Sequence, residues 1–131
     1  AKFFIDRASA YAKDRQVFGR AIGENQGVQF PIARAYVQMT AASLMVDRAA
    51  ALFEAGEPCG TEANMAKLTA SEASWYAADM AVQTHGGFGF AEEYDIERKF
   101  RETRLYQVAP ISTNLILSHV ATHVLDLPKS F

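Results

Sequence analysis

Alanine recurs at 63, 66, 70, 73, 77 and 81, in steps of three or four residues. That spacing is helical, and it lays small side chains along one face for about five turns. A face without bulk is useful only when another helix lies close against it. The stretch therefore limits the chain to folds in which one helix is packed tightly by its neighbours. Met65, Leu68, Trp75, Tyr76 and Met80 supply bulk on the remaining surface. Thr61 is the expected N-cap, with Glu62 favourable in the first turn.

The rest of the chain agrees. Phe3, Phe4, Ile5, Ala8, Tyr11 and Ala12 predict a first helix running to about Arg15. It ends before "QVFGRAIGEN", which carries two turn-forming glycines. A second helix opens between Gln26 and Pro31, with Pro31 acceptable only in the first turn. Ile32, Ala35, Tyr36, Met39, Ala42, Val46, Ala49 and Phe53 mark one face at 3.6-residue spacing, and Gly56 and Pro58 close the helix. Ser112 or Thr113 caps a last helix bearing Leu115, Ile116, Val120 and Val124, which stops by Pro128. No strand is convincing. Four helices with short links predict an all-α, antiparallel four-helix bundle, and residues 1–131 form one domain.

Composition narrows the function. The net charge is −2, with 13 basic residues spread among the acids, which argues against nucleic acid. No apolar run reaches the ~18 residues of a membrane span, so no membrane association is expected. Cys59 is the sole cysteine, which excludes an intrachain disulfide framework and fits a reducing compartment. The first helix begins abruptly, without Met or a capping residue, and reads as the continuation of a longer chain.

Residues 81–104, "AVQTHGGFGFAEEYDIERKFRETR", do not read as packing. An esterase oxyanion loop would follow a strand and be accompanied by a Gly-x-Ser-x-Gly elbow; neither is present. A dinucleotide fingerprint needs Gly-x-Gly-x-x-Gly between strand and helix, and "GGFGFAE" has the wrong spacing. Two readings remain open. The stretch is a helix C-cap with a Gly-rich turn, or the glycines let a flat ligand or a neighbouring chain reach the backbone. In the second case Gln83, a turn earlier, presents its amide to that ligand. His119 and His123 share a helix face but lack a third ligand, so no metal site is expected. Glu97, Arg98, Lys99, Arg101, Glu102 and Arg104 form a solvated face or pair with each other or a partner. Arg15, where helix gives way to loop, caps carbonyls or reaches an external anion such as a diphosphate.

Two segments together carry a family resemblance. "YAKDRQVFGRAIGENQ" (11–26) resembles the acyl-CoA dehydrogenase pattern of Tyr, Arg-x-x-Phe-Gly and Gln. "AVQTHGGFGFAEEYDIERKFRETRLYQV" (81–108) resembles the family's later pattern of Gln-x-x-Gly-Gly-x-Gly, Tyr, Glu-Arg and Arg-Asp-Ala-Arg. The resemblance implies the C-terminal helical domain of a longer flavoenzyme. It implies that the intact enzyme uses FAD to dehydrogenate acyl-CoA thioesters between Cα and Cβ, and that the segment adds FAD contacts and an oligomer interface. Arg15, Phe18, Gln26, Gln83, Gly87, Ser112 and Asn114 are the implied cofactor positions. Implied partners are an acyl-CoA substrate, a second copy in a dimer or tetramer, and an electron-transferring flavoprotein. The implied location is cytoplasmic, or the mitochondrial matrix in a eukaryote. The segment alone is expected to be inactive and to hold FAD weakly.

One departure stands out. Many members read Tyr-Glu-Gly-Thr after "YQ", the Glu abstracting the α-proton; "LYQVAPISTN" puts Pro110 at that position. Proline cannot accept a proton, and the α-proton of a thioester is weakly acidic. Either the base lies upstream, as on the preceding helix of some relatives, or this member has lost dehydrogenation. In the latter case it serves as a flavin-binding or assembly subunit, or runs another flavin reaction. Glu92 and Glu93 are carboxylates near the segment with nothing to place them at a substrate.

Overall fold

A computed structural model describes residues 1–130. Its helices are α1 (Lys2–Asp14), α2 (Gln26–Glu54), α3 (Gly60–His85), α4 (Ile96–Arg104) and α5 (Thr113–His119), the last extended by a wider turn over Val120–Val124. The all-α bundle is the predicted one, with a fifth helix added. α3 is the central rod, against which α1, α2, α4 and α5 all pack.

Alanine is what makes that possible. Ala66, Ala73, Ala77, Ala78 and Ala81 of α3 are buried, and α2 meets them with Ala35 and Ala42. The core is completed by Phe4, Ile5 and Ala8 of α1, Met80 of α3 and Ile96 of α4. α2 and α3 run as a long hairpin joined through a tight close. Gly56, at φ +73°, donates to the Phe53 carbonyl (3.1 Å) and Glu57 to Leu52 (2.9 Å). That bond pair is the Schellman closure, and the left-handed φ is why glycine stands there.

Several local expectations change. The charged run 97–104 lies on α4, a helix seated by Ile96, Phe100 and Thr103, spaced four and three apart. Ile96 and Thr103 are buried, and Phe100 meets Trp75 at 4.7 Å. Its charges pair among themselves: Arg98 with Asp95 and Glu102, Lys99 with Glu102, and Arg101 with Glu97. α3 starts at Gly60 after Cys59, so Thr61 lies in the first turn and is no cap. Pro31 is the sixth residue of α2, past the first turn. The Gly27 carbonyl forgoes its helical bond there, at an end open to water. Ser112 is the cap of α5, its hydroxyl accepting from Leu115 N at 3.4 Å. α5 leaves regular helix after His119, short of Pro128.

A strand pair is also present. β1 (Gln16–Val17) and β2 (Arg20–Ala21) form a two-residue antiparallel ladder, too short for any periodicity signal. Phe18 and Gly19 both have positive φ (53° and 77°), as the tightest hairpin turns require. Gly23 is not a turn residue; a Cβ there would lie 2.8 Å from the Ala12 carbonyl oxygen, so it lets the loop lie on α1.

Candidate functional site

The end of α3 and the end of α1 meet at one open groove of about 500 Å³. Its lining includes Tyr11 and Arg15 from α1 and its cap, Val17 from the hairpin, and Gln83, His85 and Gly87 from the α3 terminus. Arg15, Gln83 and Gly87, three implied cofactor positions, are thus brought together from separate segments. The α3 terminus folds as it does because Gly86 adopts φ 58° and ψ −132°, conformations open to glycine, and closes the helix onto the Gln83 and Val82 carbonyls. The chain then turns tightly through Gly86–Phe90. The helix-end reading is therefore right as local geometry, and the open-backbone reading is compatible with it.

The glycines of the turn differ in what surrounds them. A Cβ at Gly89 would lie 2.9 Å from the Val82 carbonyl oxygen, so glycine there serves packing. A Cβ at Gly87 meets nothing within 4 Å. This residue offers bare backbone to the groove.

Aromatic side chains hold the wall. His85 is 4% exposed and stacks on Tyr11 with ring centres 4.3 Å apart. Tyr94 stands edge-on to both, at 5.6 Å from His85 and 5.9 Å from Tyr11. Phe88 lies 5.5 Å from Tyr94 and carries the Arg15 guanidinium 5.6 Å above its ring centre. Arg15 is held by a cation–π contact and keeps its five N–H donors for something else. Burial is the main influence lowering the His85 pKa from its ordinary value, with the Arg7 charge adding to it and the hydrogen bond to Ala81 opposing. The ring is neutral at pH 7. Sequence reading missed His85, Phe88 and Tyr94 as site residues, although an aromatic-rich frame around three glycines was their signal.

The other implied positions lie outside the groove lining. Phe18 is 101% exposed at the hairpin tip. A bulky aromatic in left-handed backbone and full solvent is an unfavourable placement, maintained by the hairpin it caps. Arg20 donates to Asn25 Oδ1 (2.7 Å) and Asn25 Nδ2 to the Ile22 carbonyl (3.0 Å), which fixes the hairpin to the start of α2. Gln26 is the first residue of α2 and is exposed. A second groove of about 320 Å³ begins beside it, lined by Gly27, Val28 and Pro31 and by Gln83 and Thr84. The two grooves share Gln83 and Thr84. Ser112 and Asn114 line neither; they sit at the start of α5. Pro110 is exposed in the preceding loop, where Lys67 Nζ donates to the Ile111 carbonyl at 2.6 Å. Among the described residues no cluster of three or more His, Cys, Asp or Glu could hold a metal, and the His119 and His123 rings stack on each other at 4.7 Å. No helix among them is long and apolar enough to cross a membrane.

Bundle and groove together define a helical domain that presents a cation, an amide and open glycine backbone to one groove. The family model for the C-terminal domain of acyl-CoA dehydrogenase matches residues 1–125, and the chain belongs to that family. It is 40% identical over 132 aligned residues to acyl-CoA dehydrogenase FadE12 of Mycobacterium tuberculosis, covering 99% of this chain and 34% of that protein. The structure of butyryl-CoA dehydrogenase from Megasphaera elsdenii superposes with a TM-score of 0.90 at 30% identity, over 93% of this chain and 32% of the other. An FAD complex of PigA superposes at 0.89 and 27% identity, over 95% and 32%. The chain spans about a third of the length of these relatives.

Proposed function

We propose that this chain is the C-terminal domain of an FAD-dependent acyl-CoA dehydrogenase that forms the Cα–Cβ double bond of an acyl-CoA thioester. The observation that carries the reading is the convergence of Arg15, Gln83 and Gly87 on one groove. Family membership and the similarity to an FAD-bound structure support the cofactor. The residues present fit it. Arg15 offers a fork of donors to a diphosphate, Gly87 lets a flat group approach the backbone, and Gln83 lies where the two grooves join, in the path of an extended ligand. Phe18 and Gln26 flank that path.

FAD, when bound, supplies the acceptor for the substrate's β-hydride. This chain's residues bind and orient it, and the adjoining grooves give it a partly apolar bed. The α-proton needs a carboxylate, which Pro110 cannot be, so the base on this reading lies in the part of the enzyme upstream of Ala1. The reduced enzyme passes its electrons to an electron-transferring flavoprotein, and the protein works in the cytoplasm, or the matrix of a mitochondrion. Self-association uses the outer face of α2. There Phe30, Val37 and Leu44 recur every seven residues and are exposed, opposite the buried Ala35 and Ala42.

Pro110 also favours a second reading, in which the protein keeps the flavin site but has lost dehydrogenation, serving as a binding or assembly subunit or running another flavin reaction. One experiment separates the two. The full-length, FAD-loaded protein is kept anaerobic and given short, medium and branched acyl-CoA thioesters while flavin absorbance is followed. Prompt bleaching by any of them supports the dehydrogenase. Full flavin occupancy with no bleaching by the whole panel refutes it in favour of the second reading.

A further inference from the structure

His85 has no part in the reading so far, yet it is the most deeply buried ionisable side chain in the groove wall. Its Nδ1 lies 2.8 Å from the Ala81 carbonyl oxygen. A carbonyl only accepts, so Nδ1 carries the proton and Nε2 is left as an acceptor. Nε2 has no hydrogen-bond partner among the described residues. Among the described residues no buried side-chain nitrogen or oxygen is left unpaired, so this atom reaches solvent, and the residue lines the groove. A ring 96% withdrawn from water and clamped between Tyr11 and Tyr94 thus keeps one polar atom for whatever lies there. Burial and the nearby Arg7 keep it neutral at pH 7, so that atom is a fixed acceptor. Arg15, in the same groove, takes the anionic part of a ligand, and the chemistry left for Nε2 is a neutral donor close to that anion.

We propose that His85 is a ligand-contacting residue whose Nε2 accepts a hydrogen bond from a hydroxyl of the bound cofactor's sugar or polyol portion, beside the diphosphate held by Arg15. This inference rests on the FAD reading of the groove and names a contact that reading does not contain.

Two variants separate hydrogen bonding from packing, because the two roles rank them in opposite order. His85→Phe keeps an aromatic ring on Tyr11 and loses the acceptor. His85→Gln loses the ring and keeps an amide that reaches about as far as Nε2. FAD affinity is measured by titrating the apoprotein of the full-length enzyme, and the melting temperature of each apoprotein is recorded alongside. The expected result is an affinity loss of about tenfold for His85→Phe, the usual consequence of removing one buried acceptor, with His85→Gln restored close to wild type. Wild-type affinity in His85→Phe would overturn the proposal, as would a larger loss in His85→Gln than in His85→Phe, since that order belongs to packing. Failure of the wild-type apoprotein itself to take up FAD would overturn the reading of the groove, and this contact with it.

Discussion

A methyl group added at Gly89 would fall 2.9 Å from the Val82 carbonyl oxygen and 3.1 Å from its Cα, whereas one added at Gly87 meets nothing within 4 Å. Backbone cannot swing away as a side chain can, so Gly89→Ala must push the turn off α3. We expect it to destabilise the protein by about 1–3 kcal/mol, read from denaturant unfolding. Gly87→Ala should leave stability within about 0.5 kcal/mol. His85 sets a pH dependence. Its pKa is lowered in the folded state, so below about pH 6.5 the unfolded chain binds a proton that the folded chain refuses. Stability is full above that value and falls as pH drops toward the lowered one. A melting curve followed from pH 7.5 down to pH 5 should show a decline that is smaller in His85→Gln; identical declines would refute the assignment. The sequence motifs singled out Arg15, Gln83 and Gly87, which the fold brings to one groove. They did not disclose the frame of Tyr11, His85, Phe88 and Tyr94, because its members come from α1 and three later segments and meet only after folding.

Helix α4 is the element that periodicity failed to find. Six of its nine residues are charged, and its apolar anchorage is only Ile96 and Phe100, too few for a pattern to rise above the charges. The anchorage nevertheless governs its stability. Ile96 is completely buried, and Ile96→Ala should cost about 2–5 kcal/mol. The ion pairs on the outer face are exposed, and Glu102→Gln, which weakens two of them, should cost far less than Ile96→Ala. Equal losses in an unfolding series would contradict this division. The long helices were legible for the converse reason: α1 and α3 repeat buried positions at helical spacing, while in α2 only Ala35 and Ala42 of the patterned face are buried and Tyr36, Val46 and Phe53 are exposed. The hairpin at 16–21 was not, since two-residue strands carry no period and its tip holds Phe where Asn or Asp is usual.

At the scale of the molecule, burial is uneven. α3 is surrounded, but α2 shows water a row of large apolar side chains on the side away from α3, including Phe30, Val37 and Leu44 at 61, 66 and 66% exposure. If that row is the self-association surface, Val37→Asp with Leu44→Asp should shift the full-length protein to a smaller assembly in sedimentation velocity. An unchanged sedimentation coefficient would remove α2 from the interface. The adjoining grooves at the ends of α1 and α3 are likewise open, which fits a cofactor covered by neighbouring parts of the enzyme. The segment expressed alone should therefore retain FAD weakly and show no acyl-CoA-dependent bleaching.

The central claim is that the groove at Arg15, Gln83 and Gly87 holds FAD. Its most direct test is the FAD-to-polypeptide ratio of the full-length protein purified as wild type, Arg15→Ala and Gly87→Val. A Cβ at 87 meets nothing in the chain within 4 Å, so a side chain there reaches into the groove. A ratio near one is expected for the wild type and a large fall in both variants, with the melting temperatures of the apoproteins unchanged. Full occupancy in both variants would contradict it.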